Sequence, residues 1–232
     1  MLKLYGNARS CATRCLWMLE ETGEPYELIQ TSVRPEDLQS PAYLQLNPNA
    51  RIPTLVDGEV VLWESMAINL YLAQKPGLMQ LNSAAVLGIA AQWSFWAMLE
   101  TEALLLELLS HRAMLPEYAR DPSHIERNTM LLQKPLAVLD NALNGRAHLA
   151  GESFTVADLN VASILAWGKI ARLDFSRHPN VARWLEKAWR GQLTSECEIY
   201  GIVRETYFRS IASTHGGDGG APPDLSTLAT TG

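Results

Sequence analysis

The segment RSCATRC, residues 9–15, places a hydroxyl at Ser10 directly before a thiol at Cys11, with a guanidinium at Arg14. A free thiol is mostly protonated at neutral pH, and a hydroxyl that donates a hydrogen bond to a bound sulfur favours its thiolate. A cysteine with a lowered pKa can instead attack a disulfide itself. The segment therefore offers two chemistries: Ser10 stabilises a thiolate that a ligand brings, or Cys11 is the nucleophile.

Glu64 and Ser65, in the stretch LWES, stand at the start of a predicted helix. Unpaired N–H groups and the positive end of the helix dipole favour a carboxylate ligand at such a position. The carboxylate of Glu64 accepts hydrogen bonds from an ammonium group. The two residues together predict a binding site for the zwitterionic head of an α-amino acid. In the alternative interpretation, Ser65 only caps the helix and Glu64 only interacts with the dipole.

Pro53, in the stretch ARIPTL, precedes a predicted strand and has no N–H to donate to a sheet. A cis bond between Ile52 and Pro53 would turn the chain sharply and leave the backbone of Ile52 available to pair with an extended ligand. An ordinary trans turn is the alternative, because only about 5–6% of X–Pro bonds are cis.

The elements that must position these residues alternate between strand and helix over the first 80 residues. This alternation predicts a small α/β domain whose first unit is a parallel crossover. Residues 34–50 are rich in turn formers and predict a loop with one or two helical turns. The other predicted elements are a strand at 2–6, a helix from the N-cap Ser10 to Gly23, a strand at 26–33, a hairpin of 54–56 and 60–62, and a helix from 64 to the stop at Pro76-Gly77.

After residue 83 the strand patterns disappear, and the rest of the chain predicts helices alone. Thr155 and Asp158 form a capping-box pattern at the start of one of them. The tail from residue 212 is rich in Gly, Ser and Thr and is predicted to be disordered. The predicted helices span 83–114, 123–143 with a bend at Pro135, 155–171, 178–191 and 193–211.

Composition excludes several classes of protein. The 232 residues are 47% hydrophobic and 19% charged, with a net charge of −6, which argues against a nucleic-acid or anionic-membrane surface. The longest apolar run is too short to span a bilayer, and the first residues lack a signal-peptide pattern. Three cysteines predict no disulfide framework and indicate a cytoplasmic protein. No histidine has metal-ligand spacing to a cysteine or another histidine, so no metal site is expected.

Three stretches of the chain, LYG…RSCATR…LEE, NPNARIPTLVDGEVVLWESMAINLYL and GESFTVADLNVASIL, resemble the cytosolic glutathione transferase superfamily in order and spacing. The resemblance is to the serine-type classes of plants and insects and to bacterial relatives, and it extends from residue 1 to about residue 211. It implies a thioredoxin-like α/β domain over residues 1–78, an all-α helical-bundle domain over 84–211 and a tail over 212–232. It also implies a homodimer with glutathione as co-substrate and no cofactor.

The resemblance also implies how glutathione binds. The backbone of Ile52, before a cis Pro53, pairs with the cysteinyl part, and Glu64 and Ser65 hold the γ-glutamyl head. Arg51 lies where the family often places a residue near the glycyl carboxylate. The chain departs from the family pattern at Met66, because in the insect-type classes an Arg commonly follows the serine that corresponds to Ser65. Backbone N–H groups must therefore do more of the binding here.

Within this family Ser10 matches the serine that stabilises the thiolate, and Arg14 is expected to brace the first helix by an ion pair. This interpretation predicts conjugation of glutathione to small apolar electrophiles, with part of the electrophile pocket formed by the helix over 83–114. Cys11 instead matches the reactive cysteine of a bacterial class, which would make the chain a glutathione-dependent thiol–disulfide oxidoreductase. A non-catalytic member that only binds glutathione or other ligands is the third hypothesis. Cys15 is expected to lie in the core.

Overall fold

The computed structural model describes residues 1–8, 10–75, 81 and 83–191. The predicted stop at Pro76-Gly77, the helix over 193–211 and the tail from residue 212 lie outside the described residues. Over the part of the chain that is described, no helix is both long enough and apolar enough to cross a membrane.

A four-stranded mixed sheet forms the centre of the first half, as predicted. Its strands are β1 (Leu2–Gly6), β2 (Tyr26–Gln30), β3 (Thr54–Asp57) and β4 (Val60–Trp63). The strand order is β2-β1-β3-β4, with β1 and β2 parallel and the other two pairs antiparallel. Leu4 is fully buried and pairs with Leu28 on one side and Leu55 on the other.

Strand β2 is shorter than the predicted 26–33. Its last backbone hydrogen bond to β1 runs from the N–H of Thr31 to the carbonyl of Gly6, at 3.0 Å. Because β1 ends at Gly6, residues beyond Thr31 have no neighbouring strand to pair with.

In the described residues of the first half, four helices accompany the sheet and confirm the predicted alternation. Gly23, with a φ of 67°, ends the first of them in the left-handed conformation that favours glycine. The second and third are the short helical turns predicted within residues 34–50. The four are α1 (Ala12–Thr22), α2 (Pro35–Leu38), α3 (Pro41–Leu44) and α4 (Ser65–Leu72).

The second half is helical throughout its described residues. The predicted helix over 83–114 is a continuous helical path, but it contains two π-helical turns that the sequence did not indicate. The segments are α5 (Ala84–Ala97), π1 (Met98–Glu102), α6 (Ala103–Leu109), π2 (Ser110–Met114), a 3₁₀ turn (Glu117–Ala119), α7 (Pro122–Leu131), α8 (Gln133–Ala142), α9 (Val156–Ile170) and α10 (Pro179–Gly191).

The predicted helix over 123–143 is divided into α7 and α8 at Leu132, whose backbone keeps right-handed helical angles, with a φ of −65° and a ψ of −19°. Pro135 has no N–H to donate to the carbonyl of Leu131, and its ring crowds that carbonyl. The disturbance expected from Pro135 therefore falls on its N-terminal side, at Leu132, and the N–H of Leu136 still donates to the carbonyl of Leu132 at 3.0 Å.

The predicted capping box at the start of α9 is confirmed. The hydroxyl of Thr155 accepts the N–H of Ala157 at 3.3 Å, and the carboxylate of Asp158 accepts the N–H of Thr155 at 3.1 Å. Asp158 also accepts the indole N–H of Trp184 at 3.0 Å. These bonds fix the position of α9, which lies at the centre of the helical half.

Buried side chains join the two halves. The side chain of Asn69 on α4 donates to that of Asn160 on α9 at 2.7 Å, and Asn160 donates to Ser94 on α5 at 2.8 Å. One apolar cluster runs from the sheet through α1 into α9. A second, small cluster of Leu38, Tyr43 and Ile52 lies beneath the loop before β3.

Candidate active site

The turn between β1 and α1 holds Ser10 by hydrogen bonds on both sides. Ser10 is 2% exposed, and its hydroxyl donates to the carbonyl of Asn7 at 2.8 Å and accepts the N–H of Ala12 at 3.2 Å. The structure places the N-cap of α1 at Cys11, one residue after the predicted N-cap Ser10. The side chain that accepts a hydrogen bond from the first turn of the helix is nevertheless that of Ser10. The Ser10 hydroxyl thus lies at the positive end of α1.

Two further contacts leave this turn little freedom to move. The hydroxyl of Thr13 lies 2.9 Å from the carbonyls of both Ala8 and Ser10. A Cβ atom added to Gly6 would overlap the side chain of Ala12. Glycine is thus required where β1 approaches α1, and this contact sets the distance between the strand and the helix.

Cys11 and Cys15 are buried and form no disulfide. Burial raises the pKa of Cys15, although the neighbouring Arg14 lowers it in part, and its thiol donates to the carbonyl of Ser65 at 3.6 Å. A thiolate at Cys15 is therefore strongly disfavoured, and its predicted core position is confirmed. Cys11 is 3% exposed, close to the 2% of Ser10, so burial alone does not distinguish the two residues.

Arg14 is buried and forms the ion pair predicted for it, with a partner in the helical half. Its guanidinium pairs with the carboxylate of Glu102 on π1 and donates to the hydroxyl of Ser65 at 3.3 Å. It also contacts the sulfur of Met98 at 3.6 Å. Arg14 thereby links the turn of Ser10 to the start of α4.

The bond between Ile52 and Pro53 is cis, as the resemblance implied. Sheet pairing begins at Thr54, so Ile52 lies before the paired residues of both neighbouring strands. The carbonyl of Arg51 accepts the hydroxyl of Tyr43 at 2.6 Å and the side-chain amide of Asn47 at 2.8 Å. The loop therefore presents its backbone in one fixed orientation.

Glu64 precedes α4 in a left-handed backbone conformation, with a φ of 72° that is costly for any residue except glycine. Such strain is concentrated at functional sites. Burial raises the pKa of Glu64; Arg51 opposes this shift and Glu102 adds to it. Ser65, the first residue of α4, is fully buried.

A narrow cleft lies beside Ser10, between α1 and α9. Thr13 and Arg14 line it with Ser10 on one side. The opposite side is mostly apolar and consists of Ser163, Ala166, Trp167 and Ile170. No residue of the helix over 83–114 lines this cleft, and the expectation that this helix forms part of the electrophile pocket stays a prediction. The i, i+3, i+4, i+7 spacing of the α9 residues could have indicated that they share one face of a helix, but the same spacing is found in any helix that packs against a core.

The structure brings most of the predicted site residues to one region. Arg14 connects the cleft of Ser10 to Ser65, and Glu64 lies within electrostatic reach of Arg51. Ile52 and Pro53 follow Arg51 directly. The sequence did not indicate four further parts of this region, which are Tyr43, Asn47, Glu102 and the α9 residues that line the cleft.

Histidines also come together away from this region. Donor atoms of Glu107, His111 and His124 lie within 4.8 Å of one another, although their spacing in sequence gave no sign of it. His124 pairs with Glu107, and both oxygens of Glu107 contact Arg127 at 2.9 and 3.0 Å. His111 accepts the N–H of Asp121 at 3.0 Å. The ligand-type atoms are thus engaged in hydrogen bonds, and the cluster is interpreted as an ion-pair network between α6, π2 and α7.

This fold is that of glutathione transferases. Residues 1–74 match the profile of the glutathione S-transferase N-terminal domain, and residues 99–190 match that of the C-terminal domain. The chain belongs to the glutathione S-transferase family, with a thioredoxin-like first half and an all-α second half, and it is a transferase enzyme.

Relatives of this chain occur in plants and in bacteria. A probable glutathione S-transferase, GSTF2 of Oryza sativa subsp. japonica, is 31% identical over 193 residues, 79% of this chain and 89% of the relative. The disulfide-bond oxidoreductase YfcG of Escherichia coli is 30% identical over 195 residues, 81% of this chain and 89% of the relative. Among solved structures, the theta class glutathione S-transferase of Xanthomonas axonopodis pv. citri, with glutathione bound, is 28% identical to this chain and superposes with a TM-score of 0.72. The match covers 90% of this chain and 96% of the solved chain.

Proposed function

We propose that this transferase adds the glutathione thiolate to small apolar electrophiles and that the Ser10 hydroxyl stabilises this thiolate. The observation that carries the proposal is the position of Ser10 at the positive end of α1, on the wall of a cleft whose opposite wall is the apolar face of α9. A thiolate at Ser10 thus lies directly across from the surface that receives an apolar substrate.

Ser10 acts as a hydrogen-bond donor and not as a nucleophile. The Ser10 O–H donates to the carbonyl of Asn7 in the structure, and it turns to donate to the sulfur when glutathione binds, because a charged acceptor forms the stronger hydrogen bond. The N–H of Ala12 stays on the Ser10 oxygen and polarises it. The thiol proton leaves to solvent, the sulfur forms a bond to the electrophilic carbon, and with an aryl halide the halide ion departs.

The remainder of glutathione binds along the first half. Glu64 accepts the ammonium of the γ-glutamyl head, and the N–H groups at the start of α4, with Ser65, bind its carboxylate. Arg14 donates to Ser65 at this end of α4, where Met66 offers no charged group. The Ile52 backbone pairs with the cysteinyl part, before Pro53, and Arg51 binds the glycyl carboxylate.

Replacement of Ser10 tests this function. In Ser10→Ala, kcat/KM for conjugation of glutathione to an aryl halide should fall about a hundredfold, the usual effect of removing one donor from a developing anion. Ser83→Ala is the matched control, because it also removes a serine that caps a helix, at 3.2 Å from the N–H of Val86. Equal rates in wild type and Ser10→Ala would remove Ser10 from the mechanism.

A second candidate function rests on Cys11, because a relative of this chain is named a disulfide-bond oxidoreductase. The Cys11 thiolate would attack oxidised glutathione, forming a mixed disulfide and releasing one glutathione thiolate. Ser10 lines the cleft and Cys11 is not among its lining residues, which favours Ser10. Intact mass after incubation with oxidised glutathione separates the two functions: an adduct that disappears in Cys11→Ala supports Cys11, and no adduct excludes it.

A homodimer and a cytoplasmic location belong to the same proposal. Phe95 and Leu99, one helical turn apart, are 61% and 81% exposed, and a second copy of the chain would cover them. Light scattering should therefore give twice the mass of the chain, and Leu99→Arg should reduce it. Buried thiols without disulfides fit a reducing compartment.

A further inference from the structure

Two buried donors converge on a single carbonyl in the loop before β3. The hydroxyl of Tyr43 and the side-chain amide of Asn47 both donate to the carbonyl of Arg51, at 2.6 and 2.8 Å. Tyr43 is 6% exposed and Asn47 is 1% exposed. A backbone carbonyl needs one hydrogen bond to be satisfied, so two buried side chains on one oxygen restrict its direction as well.

Both donors are held in place by further contacts. The hydroxyl of Thr54, at the start of β3, lies 3.0 Å from the Tyr43 hydroxyl and 3.3 Å from the Asn47 amide. The Asn47 side-chain oxygen accepts the N–H of Asn49 at 3.0 Å, which leaves the amide nitrogen facing Arg51. The direction of the carbonyl is thus set from the sheet and from the loop.

The carbonyl of Arg51 and the N–H of Ile52 belong to one planar peptide unit. In the trans form these two groups point in opposite directions, and the cis bond of this loop is the next one, between Ile52 and Pro53. Fixing the carbonyl toward Tyr43 and Asn47 therefore fixes the N–H of Ile52 away from them. The Ile52 side chain, 1% exposed, packs in a cluster with Tyr43 and prevents the unit from rotating.

We infer that Tyr43 and Asn47 are positioning residues for glutathione: they orient the Ile52 N–H toward the cysteinyl carbonyl of the ligand. The inference rests on the proposed function, in which the Ile52 backbone pairs with that part of glutathione. Preorganisation of this kind raises affinity, because the peptide unit is not ordered at the moment of binding. Neither residue touches the thiolate, so the chemical step itself does not depend on them.

The test uses Tyr43→Phe and Asn47→Ala in the full chain. Each substitution should raise Kd and KM for glutathione about tenfold, because the loss of one hydrogen bond typically changes a binding constant by about that factor. The kcat and the KM for the electrophile should stay within twofold of wild type. Tyr71→Phe is the matched control, because it removes a tyrosine hydroxyl that donates at 2.7 Å, to Asp57, outside this loop.

An amide spectrum separates positioning from a loss of stability. Glutathione should shift the Ile52 amide resonance in wild type and in Tyr71→Phe, and the shift should be smaller in Tyr43→Phe. Lower stability with unchanged glutathione affinity in both loop variants would overturn the inference. If Glu64→Ala abolishes binding while the loop variants bind normally, positioning fails and the proposed function stands. If wild type neither binds nor conjugates glutathione, the proposed function itself fails.

Discussion

The guanidinium of Arg14 and the carboxylate of Glu102 form a buried ion pair between α1 and the π-helical turn of the second half. Arg14 is 2% exposed and Glu102 is 6% exposed, so each is shielded from water. Because Arg14 also donates to Ser65, the pair ties the helical half to the start of α4. This ion pair therefore stabilises the contact between the two halves, and it also holds the residues proposed to bind the γ-glutamyl head.

Removal of one partner of this pair should destabilise the protein strongly. Arg14→Met or Glu102→Leu leaves a buried charge without its partner, and the free energy of unfolding should fall by about 3–5 kcal/mol in each single variant. The double variant should lose less than the sum of the two, because neither charge remains. Urea unfolding of the four proteins measures this coupling, and additive losses would show that the two residues act independently.

The raised pKa of Glu64 predicts a pH dependence of glutathione affinity. Burial holds the pKa above the ordinary glutamate value, so the carboxylate is protonated earlier as the pH falls and loses its attraction for the ammonium. The Kd of S-methylglutathione, whose sulfur does not titrate, should rise as the pH falls from neutral toward the ordinary glutamate pKa of about 4.3.

The variant Glu64→Gln should bind weakly and show a flat profile over this range, since its amide does not titrate. Glu59→Gln, at an exposed position of the β3–β4 turn, is the control and should keep the profile of wild type. An unchanged slope in Glu64→Gln would assign the titration to another group.

Ala50 is an unfavourable residue for its position. Its φ of 54° costs a residue with a Cβ about 1–2 kcal/mol relative to glycine. Ala50→Gly removes this strain, but it also loses the burial of a methyl group and raises the conformational entropy of the unfolded chain. The net effect should be a stabilisation of about 0.5–1 kcal/mol.

Ala103→Gly is the matched control for this change. Ala103 is exposed and has a φ of −59° within a helix, so the same substitution should destabilise by about 1 kcal/mol. Thermal or urea unfolding compares the two variants, and equal destabilisation at both positions would contradict a strained Ala50.

Trp167 should determine how tightly the electrophile binds. Trp167→Ala removes the largest apolar side chain from the α9 wall of the cleft, so the KM for an aromatic electrophile should rise about tenfold while the KM for glutathione is unchanged. Trp189→Ala, in α10, removes a partly buried tryptophan outside the lining of the cleft. A rise in the electrophile KM of the same size in both variants would show a general effect on the helical half.

The local patterns of the sequence predicted much of this fold. The hairpin around Asp57-Gly58 and the capping box of Thr155 and Asp158 depend on residues close together in the chain, and both are present. Pro135 shows the limit of such reasoning, since a missing N–H predicts a disturbance but not whether the helix bends or breaks. The two π turns have no signal at all, because they insert a residue into a helix without changing its apolar character.

The site was predictable only in part, for a related reason. Ser10, Glu64 and Ser65 stand at helix starts, which the sequence marks clearly. Glu102 and Tyr43, by contrast, become partners of Arg14 and of the Arg51 carbonyl only through packing. The face of α9 that lines the cleft has the spacing of any core helix, so its position opposite Ser10 was a property of the tertiary structure.

The pKa of the glutathione thiol when bound to the protein tests the central claim most directly. It is measured from the ultraviolet absorbance of the thiolate as a function of pH, in wild type, Ser10→Ala and Ser83→Ala. In wild type and Ser83→Ala the bound thiol should have a pKa below the value of a free thiol, about 8.5. In Ser10→Ala, with glutathione still bound, the pKa should rise toward that value. A pKa equally low in Ser10→Ala would contradict the role of Ser10 in stabilising the thiolate.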